Sequence, residues 1–248
     1  MIRVILLGGG NLASHLALEF FKNSNIELLQ IYNRTLAHIK DKEIYAPITD
    51  TTETLLDADL YIIASSDTAI EKLSKELAAK KGLVVHTSGA TPRSILSNSH
   101  NGVLYPLQSF TKGSQINFKN IPFCIEANNK EDFILLEKFA KLVSSKVYAM
   151  DSEQRKNLHI AAVFVNNFVN YMYSIGEDIC IENGIPFEVL YPLIQETAEK
   201  IQEISPKDAQ TGPAIRKDKK TLVLHQNKLN QNQKYIYQLL SEAISNRN

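Results

Sequence analysis

The sequence has no surplus of either charge and no long uninterrupted apolar run. Its 27 Lys and Arg residues balance 27 Asp and Glu residues, so no overall field draws in nucleic acid or an anionic membrane surface. The most apolar long segment, residues 158–181, is interrupted by Asn166, Asn167, Asn170, Glu177 and Asp178. These are too many polar groups for a membrane span of about 20 apolar residues. We expect neither a nucleic-acid partner nor a membrane partner.

The chain also lacks the patterns of metal-binding, redox and exported proteins. Neither Cys124 nor Cys180 has a CxxC partner or a histidine at ligand spacing, so we predict two inert core thiols and no metal site. The first strand-like run begins at Arg3, which leaves no room for a signal peptide before it. The expected location is the cytoplasm.

The length and composition instead predict a folded protein of two domains. Over residues 1–150, short β-branched runs alternate with amphipathic helical stretches, as in βαβ units around a doubly wound parallel sheet. Strands are predicted at residues 3–7, 27–32, 60–65, 83–87, 103–107, 122–126 and 146–149, with a weaker one near 43–46. Helices are predicted at residues 12–22, 68–79 and 130–143.

Residues 151–248 are predicted to form an all-helical domain. A long helix begins at Leu158 and ends near Asn183 and Gly184, and Pro186 opens the next helix. One last helix carries an apolar stripe of Leu222, Leu229, Ile236, Leu240 and Ile244, with the Asn/Gln-rich residues 226–233 as its solvated face. The stripe must pack against something, and a second subunit is one candidate, so the pattern allows a homodimer.

A glycine-rich turn follows the first predicted strand. Gly8, Gly9, Gly10, Asn11, Leu12 and Ala13 give the pattern GxGxxA between a strand and a helix. Gly8 permits the tight turn, Gly10 lets the main chain approach a pyrophosphate, and Ala13 allows close packing of helix on strand. The phosphates would lie at the helix N-terminus, where free N–H groups and the helix dipole favour negative charge. A bare glycine pattern can be a mere turn, but this context predicts a Rossmann-type dinucleotide-binding domain.

The end of the second predicted strand favours NADP over NAD. NAD-preferring proteins usually have Asp or Glu there to bind the ribose 2′-hydroxyl, whereas this chain has Asn33, Arg34 and Thr35. Arg34 would pair with a 2′-phosphate, and its two neighbours can add hydrogen bonds. An exposed surface charge is the alternative for Arg34.

Substrate is predicted to bind beyond the carboxyl ends of the fourth and fifth strands, residues 60–65 and 83–87 when the weak strand is counted as the third, because ligands of open α/β sheets lie there. Ser65 and Ser66 follow the fourth strand and are candidates for contact with the cofactor. His86, Ser88 and Gly89 follow the fifth, where a hydroxyl and open backbone amides could receive a carboxylate or carbonyl. Helix capping by Ser66 or Asp67 and simple turn chemistry at Ser88 are the alternatives.

A polar stripe on the long helix supplies the other predicted wall of the cleft. His159, Asn166, Asn170 and Glu177 lie at offsets of 0, 7, 11 and 18, which at about 100° per residue is nearly one line. Glu177 is interpreted as facing solvent. His159 can donate or accept a proton near neutral pH, which makes it the candidate general acid. A hydrogen-bonded structural histidine is the alternative.

Together these segments resemble one poorly characterised family that pairs a Rossmann-like domain with a helical domain of unknown function. Besides the glycine turn and residues 33–35 and 86–89, the resemblance rests on residues 105–110, on residues 159–162 with Asn167, and on Thr211, Gly212, Pro213, Arg216 and Asp218. The last segment is the most specific marker, and the match covers nearly the whole chain. The arrangement is more distantly similar to pyrroline-5-carboxylate reductase, deazaflavin-dependent NADP reductase, and the 6-phosphogluconate and 3-hydroxyisobutyrate dehydrogenases.

The resemblance implies an NADP-dependent oxidoreductase that dimerises through C-terminal helices like those of 6-phosphogluconate dehydrogenase. The hydroxyacid dehydrogenases carry a catalytic Lys followed one turn later by Asn, where this chain has His159 and Val163, so their acid–base mechanism does not transfer. Many relatives have His where this chain has Tyr105. Asn167 matches the family pattern, whereas helical geometry prefers Asn166, and both stay open.

The leading hypothesis is hydride transfer between NADPH and a small carbonyl or imine compound. Ser88 and Gln108 would position the substrate, His159 would donate the proton, and Arg216 would anchor a negative group. Asn167 is a further catalytic candidate, with His86 and Gly89 as substrate-binding candidates. The alternative is a non-catalytic NADP-binding redox sensor or regulatory module, which would keep the glycine turn and Arg34 but need no proton donor.

Overall fold

The computed structural model describes residues 1–247, and the chain divides into two compact units, Met1–Val165 and Asn166–Asn248. The sequence-based boundary falls at residue 150, so residues 151–165 of the predicted helical domain lie in the first unit. The assignment of dinucleotide binding to residues 1–150, and of substrate binding and dimerisation to residues 151–248, stays a prediction.

One sheet of eight strands is the framework of the first unit among the residues described. Its strands are β1 (Ile2–Leu7), β2 (Ile26–Tyr32), β3 (Ile48–Thr49), β4 (Leu60–Ile63), β5 (Leu83–His86), β6 (Asn101–Pro106), β7 (Phe123–Ala127) and β8 (Val147–Ala149). Their spatial order is β3-β2-β1-β4-β5-β6-β7-β8, and β1 to β6 are parallel. The strand order reverses between β1 and β4, since β2 and β3 lie on one side of β1 and β4 to β8 lie on the other. The crevice beyond the carboxyl ends of β1 and β4 is therefore the expected ligand site.

Helices cover both faces of this sheet. α1 (Asn11–Lys22) and α3 (Lys130–Val143) pack on one face, where the rings of Phe20 and Phe139 meet edge to face with centroids 5.4 Å apart. α2 (Asp67–Glu76) packs on the other face through Ile70 and Leu73. The predicted doubly wound, Rossmann-type fold is confirmed.

Two strands depart from the all-parallel sheet that was predicted. β7 pairs antiparallel with β6, and β8 lies parallel to β7. A parallel β6–β7 pair would need a crossover connection, usually a helix. The described connection between them contains only a short 3₁₀ turn, Phe118–Asn120. β7 therefore begins beside the carboxyl end of β6 and runs back along it.

The weak strand expected near residues 43–46 is wrong. The N–H groups of Tyr45 and Ala46 donate to the carbonyl of Lys42, which makes this segment a turn. The strand that pairs with β2 comes later, at β3, and the Pro47 carbonyl before it accepts the N–H of Ile31. Local backbone bonding thus overrides the weak strand propensity of residues 43–46.

The long helix begins before Leu158 and is not α-helical throughout. α4 (Ser152–Ala162) starts with a capping box formed by Asp151 and Gln154. Val163–Phe168 is π-helical, and α5 (Val169–Glu182) follows. A π-helical turn closes hydrogen bonds between residues five apart instead of four. The even spacing used to align His159 with the polar residues after it therefore does not hold across this segment.

The second unit, taken by itself, is helical as predicted. α5 ends at Glu182 with Asn183 as its C-cap, and Gly184 has a φ of 66°. Pro186 precedes the 3₁₀ turn Phe187–Leu190, which leads into α6 (Tyr191–Lys200). The single last helix was a wrong prediction, because α7 (Lys219–Gln226) and α8 (Gln231–Asn246) are separate. Asn230 begins α8 with its own capping box, which explains the break inside the Asn/Gln-rich residues.

The cysteines and the helix lengths agree with the sequence analysis. Cys124 and Cys180 are buried and free, as predicted, and burial raises the pKa of the Cys124 thiol to about 11. Among the helices of residues 1–247, none combines the length and apolar character needed to cross a lipid bilayer.

Candidate functional site

The glycine turn lies at the carboxyl end of β1, and two of its glycines are there for different reasons. Gly8 has a φ of +150°, and a Cβ on it would lie 2.0 Å from the carbonyl oxygen of Ala64, just beyond β4. Gly10 precedes α1, and a Cβ on it would have no described atom within 4 Å. The protein itself fills the space at Gly8, whereas the space at Gly10 is open to a ligand.

The N-terminus of α1 suits an anion. Its first turn contains no acidic residue, and Gly10 contributes no capping side chain among the described contacts. The first N–H groups of a helix have no partner within the helix and attract negative charge. Ala13 is fully buried, and its Cβ lies 3.5 Å from the position that a Gly8 Cβ would take, in agreement with the close packing predicted from its small size. These residues fit a dinucleotide pyrophosphate.

A cleft of about 390 Å³ lies at the turn after β1 and the loop after β4. The sheet brings most of the predicted cofactor-binding residues to this cleft, together with three that were not predicted. From the predicted set it is lined by Gly9, Gly10, Asn11, Leu12, Asn33, Ser65 and Ser66, and in addition by His38, Ala64 and Thr87. Sequence reasoning missed His38 because the 3₁₀ turn Leu36–His38, which places it there, has no strong sequence signal.

The segment after β2 is only partly in contact with this cleft. Asn33 lies beside the glycine turn, where its Cγ would be 3.2 Å from a Cβ on Gly9. Its amide donates to the Thr35 carbonyl at 2.9 Å. Arg34 and Thr35 are exposed and do not line the cleft among the residues described. Because residues 33–38 include no carboxylate, a 2′-phosphate would meet no acidic side chain of this segment.

Ser88, after β5, is engaged within its own turn. Its hydroxyl oxygen accepts from the N–H groups of Ala90 and Thr91, and its proton goes to the Thr91 hydroxyl at 3.0 Å. This is the turn chemistry weighed as the alternative to substrate binding. The catalytic and substrate-binding roles of Ser88 stay predictions.

His86, at the end of β5, lies in the protein interior. It is fully buried, its Nδ1 accepts from the Ser88 N–H at 3.2 Å, and its Nε2 has no hydrogen-bond partner within residues 1–247. Burial, and then the positive charge on Arg155, lower the pKa of His86 to about 4. The imidazole is therefore neutral at neutral pH, and a role in substrate binding would require it to become accessible.

His159 meets an unexpected partner on the sheet. Its Nδ1 lies 3.1 Å from the hydroxyl of Tyr105, and the two rings are T-shaped with centroids 6.0 Å apart. Tyr105 is on β6, and its side chain is buried with Cys124 of β7. Burial raises the pKa of Tyr105 to about 12. His159 is not among the residues that line the 390 Å³ cleft, and it is hydrogen-bonded to a tyrosine that keeps its proton.

A buried ion pair fixes α4 against the sheet. Arg155 has 1% of its side chain exposed, and its guanidinium bonds to Glu126 of β7 at 2.5 Å and to the carbonyl of Thr91 at 2.6 Å. Arg93 binds the other carboxylate oxygen of Glu126 at 3.2 Å. Arg155 lies one turn before His159 and so ties that histidine's helix to the loop that carries Gly89. Sequence reasoning missed this anchor, because Arg155 is the one buried residue of α4 and its burial is visible only in the structure.

Three other predicted residues lie outside the cleft just described. Gln108 is exposed, and its side-chain oxygen accepts from the neighbouring backbone N–H at 2.9 Å. Arg216 is exposed in the second unit, in the segment between α6 and α7, where Asp218 caps α7. Asn167 and its neighbour Asn166 are both exposed in the π-helical segment. The proposed roles of these residues stay predictions.

Solved structures of similar architecture include several named reductases. A protein from Bacteroides fragilis named a putative NADP oxidoreductase is 38% identical, with a TM-score of 0.91, over 99% of this chain and 98% of that chain. A pyrroline-5-carboxylate reductase from Coxiella burnetii is 17% identical, with a TM-score of 0.58, over 99% and 97%. An imine reductase variant from Myxococcus stipitatus in complex with NAD+ is 13% identical, with a TM-score of 0.64, over 98% and 94%. At their low identities, the last two comparisons concern the fold alone.

Sequence comparison gives a family. No curated protein matches the chain. The family model described as "Domain of unknown function (DUF2520)" matches residues 121–244, half of the chain. Because that match is joined by a 38% identical relative spanning nearly all of both chains, the chain belongs to the DUF2520 family.

Proposed function

We propose that the protein is an NADPH-dependent reductase of a small carbonyl or imine compound. One observation carries the proposal: a single cleft joins the open main chain at Gly10 to Asn33, His38 and Ser65. Rossmann-type proteins bind dinucleotides in this crevice, with the pyrophosphate at the N-terminus of the first helix. The names of the similar structures, NADP oxidoreductase, pyrroline-5-carboxylate reductase and imine reductase, support a reductase.

The chain offers separate groups for the two charged parts of NADPH. The N–H groups of the glycine turn and of the first turn of α1 would hold the pyrophosphate. Arg34 and His38 would hold the 2′-phosphate, with hydrogen bonds from Asn33 and Thr35. The arginine side chain is long enough to fold towards the cleft from its exposed position, and guanidinium groups pair with phosphate in a bidentate manner. Bound NADPH would supply the hydride.

The substrate would receive its proton from the chain. We assign that role to His159, because an imidazole can carry a transferable proton near neutral pH. The His159 side chain also lies next to Gly89, in the loop after β5. Gly89, Gln108 and Asn167 remain candidates for positioning the substrate, and Arg216 for anchoring a negative group. Ser88 could take part only by giving up one of its turn hydrogen bonds.

The second unit supports the further proposal of a homodimer. Among residues 166–247, Cys180 and Ala214 are the only buried apolar residues, whereas large apolar side chains are widely exposed. Exposed examples on or before α6 include Val189, Tyr191 and Leu193. Large exposed apolar surfaces are typical of protein interfaces, and a second copy of the chain is the partner that we propose.

Cofactor preference tests the first half of the proposal. Titration calorimetry of the wild type should show tighter binding of NADPH than of NADH. Arg34→Ala should lower NADPH affinity about 10-fold or more, because it removes a charge-assisted contact, and should leave NADH affinity nearly unchanged. Lys40→Ala is the matched control, since Lys40 is exposed on the same loop and paired with Glu43. Equal losses for both cofactors in Arg34→Ala would show that Arg34 does not read the 2′-phosphate.

Turnover tests the second half and separates a reductase from an NADP-binding regulatory module. NADPH oxidation should be followed with cyclic imines such as 1-pyrroline and with small ketones. For the substrate that is reduced, His159→Ala should lower kcat at least about 100-fold while NADPH affinity stays intact. Tight NADPH binding with no oxidation by any member of such a panel would favour the regulatory module instead.

A further inference from the structure

The hydrogen bond between Tyr105 and His159 joins two elements that are far apart in sequence. Tyr105 stands near the end of β6, and His159 lies in the last turns of α4. Both residues belong to the first compact unit. Their 3.1 Å contact occupies Nδ1 of the imidazole and leaves Nε2 as the nitrogen that can meet a ligand.

Gly89 makes room for this pair. A Cβ on Gly89 would lie 2.7 Å from Cζ of Tyr105 and 2.8 Å from Nδ1 of His159. Cζ carries the Tyr105 hydroxyl, and Nδ1 is the His159 atom that this hydroxyl contacts. Any side chain at position 89 would therefore push the rings apart. Gly89, which was predicted to expose its backbone to substrate, therefore also provides the space in which the Tyr105 and His159 rings meet.

The direction of the hydrogen bond follows from the surroundings of Tyr105. In the part of the chain that the structure describes, His159 is the one hydrogen-bond partner of the Tyr105 hydroxyl. A buried hydroxyl proton without an acceptor costs free energy, so the hydroxyl donates to Nδ1 when the imidazole is neutral. The pKa of Tyr105, raised to about 12 by burial, keeps that proton in place at physiological pH.

We propose that Tyr105 is the positioning residue for His159: it binds Nδ1 and so holds the imidazole with its proton on Nε2. A neutral imidazole carries one N–H and one acceptor nitrogen, and the partner of one nitrogen decides the state of the other. This inference rests on the proposed function for its importance to catalysis. The geometry on which it is built does not depend on that function.

The pair is held on both sides before any ligand binds. On one side, Tyr105 is packed in the sheet beside Cys124 and Val103. On the other, Arg155 fastens α4 to Glu126 and to the Thr91 carbonyl, two residues beyond Gly89. The imidazole is thus oriented by packing and by a buried ion pair, and little side-chain freedom remains to be lost when substrate binds.

Side-chain NMR of ¹⁵N-labelled protein at pH 8, without cofactor, tests the pair directly. In the wild type, we expect an unprotonated, hydrogen-bonded Nδ1 and a protonated Nε2 for His159, and a Tyr105 hydroxyl proton that exchanges slowly and shows a nuclear Overhauser effect to the His159 ring. His159→Gln identifies the signals by removing them. Absence of the hydroxyl signal, or a proton on Nδ1, would overturn the proposal without any variant of Tyr105.

Tyr105→Phe keeps the ring and removes the donor. We expect its His159 Nδ1 resonance to shift towards that of a free imidazole that exchanges between tautomers. Tyr148→Phe, at an exposed tyrosine of β8, should leave the resonance unchanged. An unmoved Nδ1 resonance in Tyr105→Phe would contradict the proposal, whether or not the protein binds NADPH. If reduction of an imine or ketone is found, Tyr105→Phe should lower kcat about 10-fold with KM nearly unchanged.

Discussion

Three glycines of the first unit show how one residue type meets different physical requirements. The missing Cβ of Gly8 admits the Ala64 carbonyl, and the missing Cβ of Gly89 admits the rings of Tyr105 and His159. The missing Cβ of Gly10 admits no described atom of the protein. The first two glycines are required by packing, and the third is required only if a ligand occupies the space above it.

Alanine substitutions should separate these requirements. Gly8→Ala places a Cβ 2.0 Å from a carbonyl oxygen at a φ of +150°, so we expect a loss of about 3 kcal/mol or more in the free energy of unfolding. Gly10→Ala should unfold like the wild type but bind NADPH at least about 10-fold more weakly, because its methyl group enters the space for the pyrophosphate. Urea unfolding and titration calorimetry measure the two effects. Wild-type NADPH affinity in Gly10→Ala would contradict the proposed pyrophosphate site.

His86 should make stability depend on pH. Its pKa is lowered to about 4 by burial first and by the Arg155 charge second, against smaller opposing effects of the Pro92 backbone and of Asp67. Between pH 6.5 and 4, the unfolded chain binds a proton that the folded chain does not, so stability falls as the pH falls through this range. The depressed pKa corresponds to a loss of about 3 kcal/mol over the whole range.

His86→Asn is the variant for this test, because its amide oxygen can still accept the Ser88 N–H. We expect urea unfolding between pH 7 and pH 4 to give a shallower loss of stability in His86→Asn than in the wild type. His38→Gln removes an exposed histidine and should keep the wild-type slope. Parallel slopes for all three proteins would show that His86 is protonated as easily in the folded state as in the unfolded state.

Features set by neighbouring residues could be predicted from the sequence, whereas contacts between residues distant in sequence could not. The glycine turn follows from six consecutive residues between a strand and a helix, and its open Gly10 agrees with the expected pyrophosphate site. The Tyr105–His159 contact joins residues 54 positions apart, and only the packing of α4 against β6 and β7 creates it. A histidine with no sequence neighbour of note therefore gave two open interpretations, and the structure shows that its Nδ1 is hydrogen-bonded.

The positions of the strands could be predicted from the sequence in the same way, whereas their directions in the sheet could not. The apolar β-branched runs were sufficient to locate seven of the described strands, because burial on both faces demands such runs. The reversed direction of β7 depends on how residues 107–122 return along the sheet, which no propensity records. The π-helical segment and the break before Asn230 each arise from backbone bonding within one turn. A periodicity of apolar residues averaged over several turns does not reveal such local changes.

The attachment of α4 to the sheet should depend on the pairing of buried charges. Glu126→Gln leaves Arg155, with 1% of its side chain exposed, without its carboxylate partner, and we expect a loss of about 3 kcal/mol in the free energy of unfolding. Adding Arg155→Met should recover much of this loss, since a buried apolar side chain carries no desolvation cost. Glu153→Gln breaks the exposed Glu153–Lys156 pair on the same helix and should change stability by less than about 0.5 kcal/mol. Equal small effects in both single variants would show that the buried pair does not hold α4.

The two compact units, each taken by itself, differ in how much apolar surface they bury. The first unit has extensive buried clusters on both faces of its sheet. The second has many amphipathic helical turns but, within residues 166–247, only two buried apolar residues. Helices in proteins are stabilised mainly by packing of their apolar faces, so these helices require a covering surface. The apolar stripe in the sequence indicated the same requirement, with a second subunit as one candidate for the covering surface.

A second copy of the chain as that covering surface leads to a prediction about oligomeric state. Light scattering coupled to size-exclusion chromatography should give twice the chain mass for the wild type. Leu193→Asp, which places a charge at a side chain that is 61% exposed on α6, should dissociate the dimer by burying an unpaired carboxylate at the interface, and should lower the melting temperature. Gln195→Asp adds the same charge two residues away, on another side of the helix, with loss of the Gln195–Glu199 hydrogen bond, and is the control for a charge placed away from Leu193. Two results together would contradict the proposed dimer: a monomeric wild type at micromolar concentration, and a melting temperature of Leu193→Asp no lower than that of Gln195→Asp. The first would show that the chain does not associate, and the second would show that Leu193 is not buried at an interface.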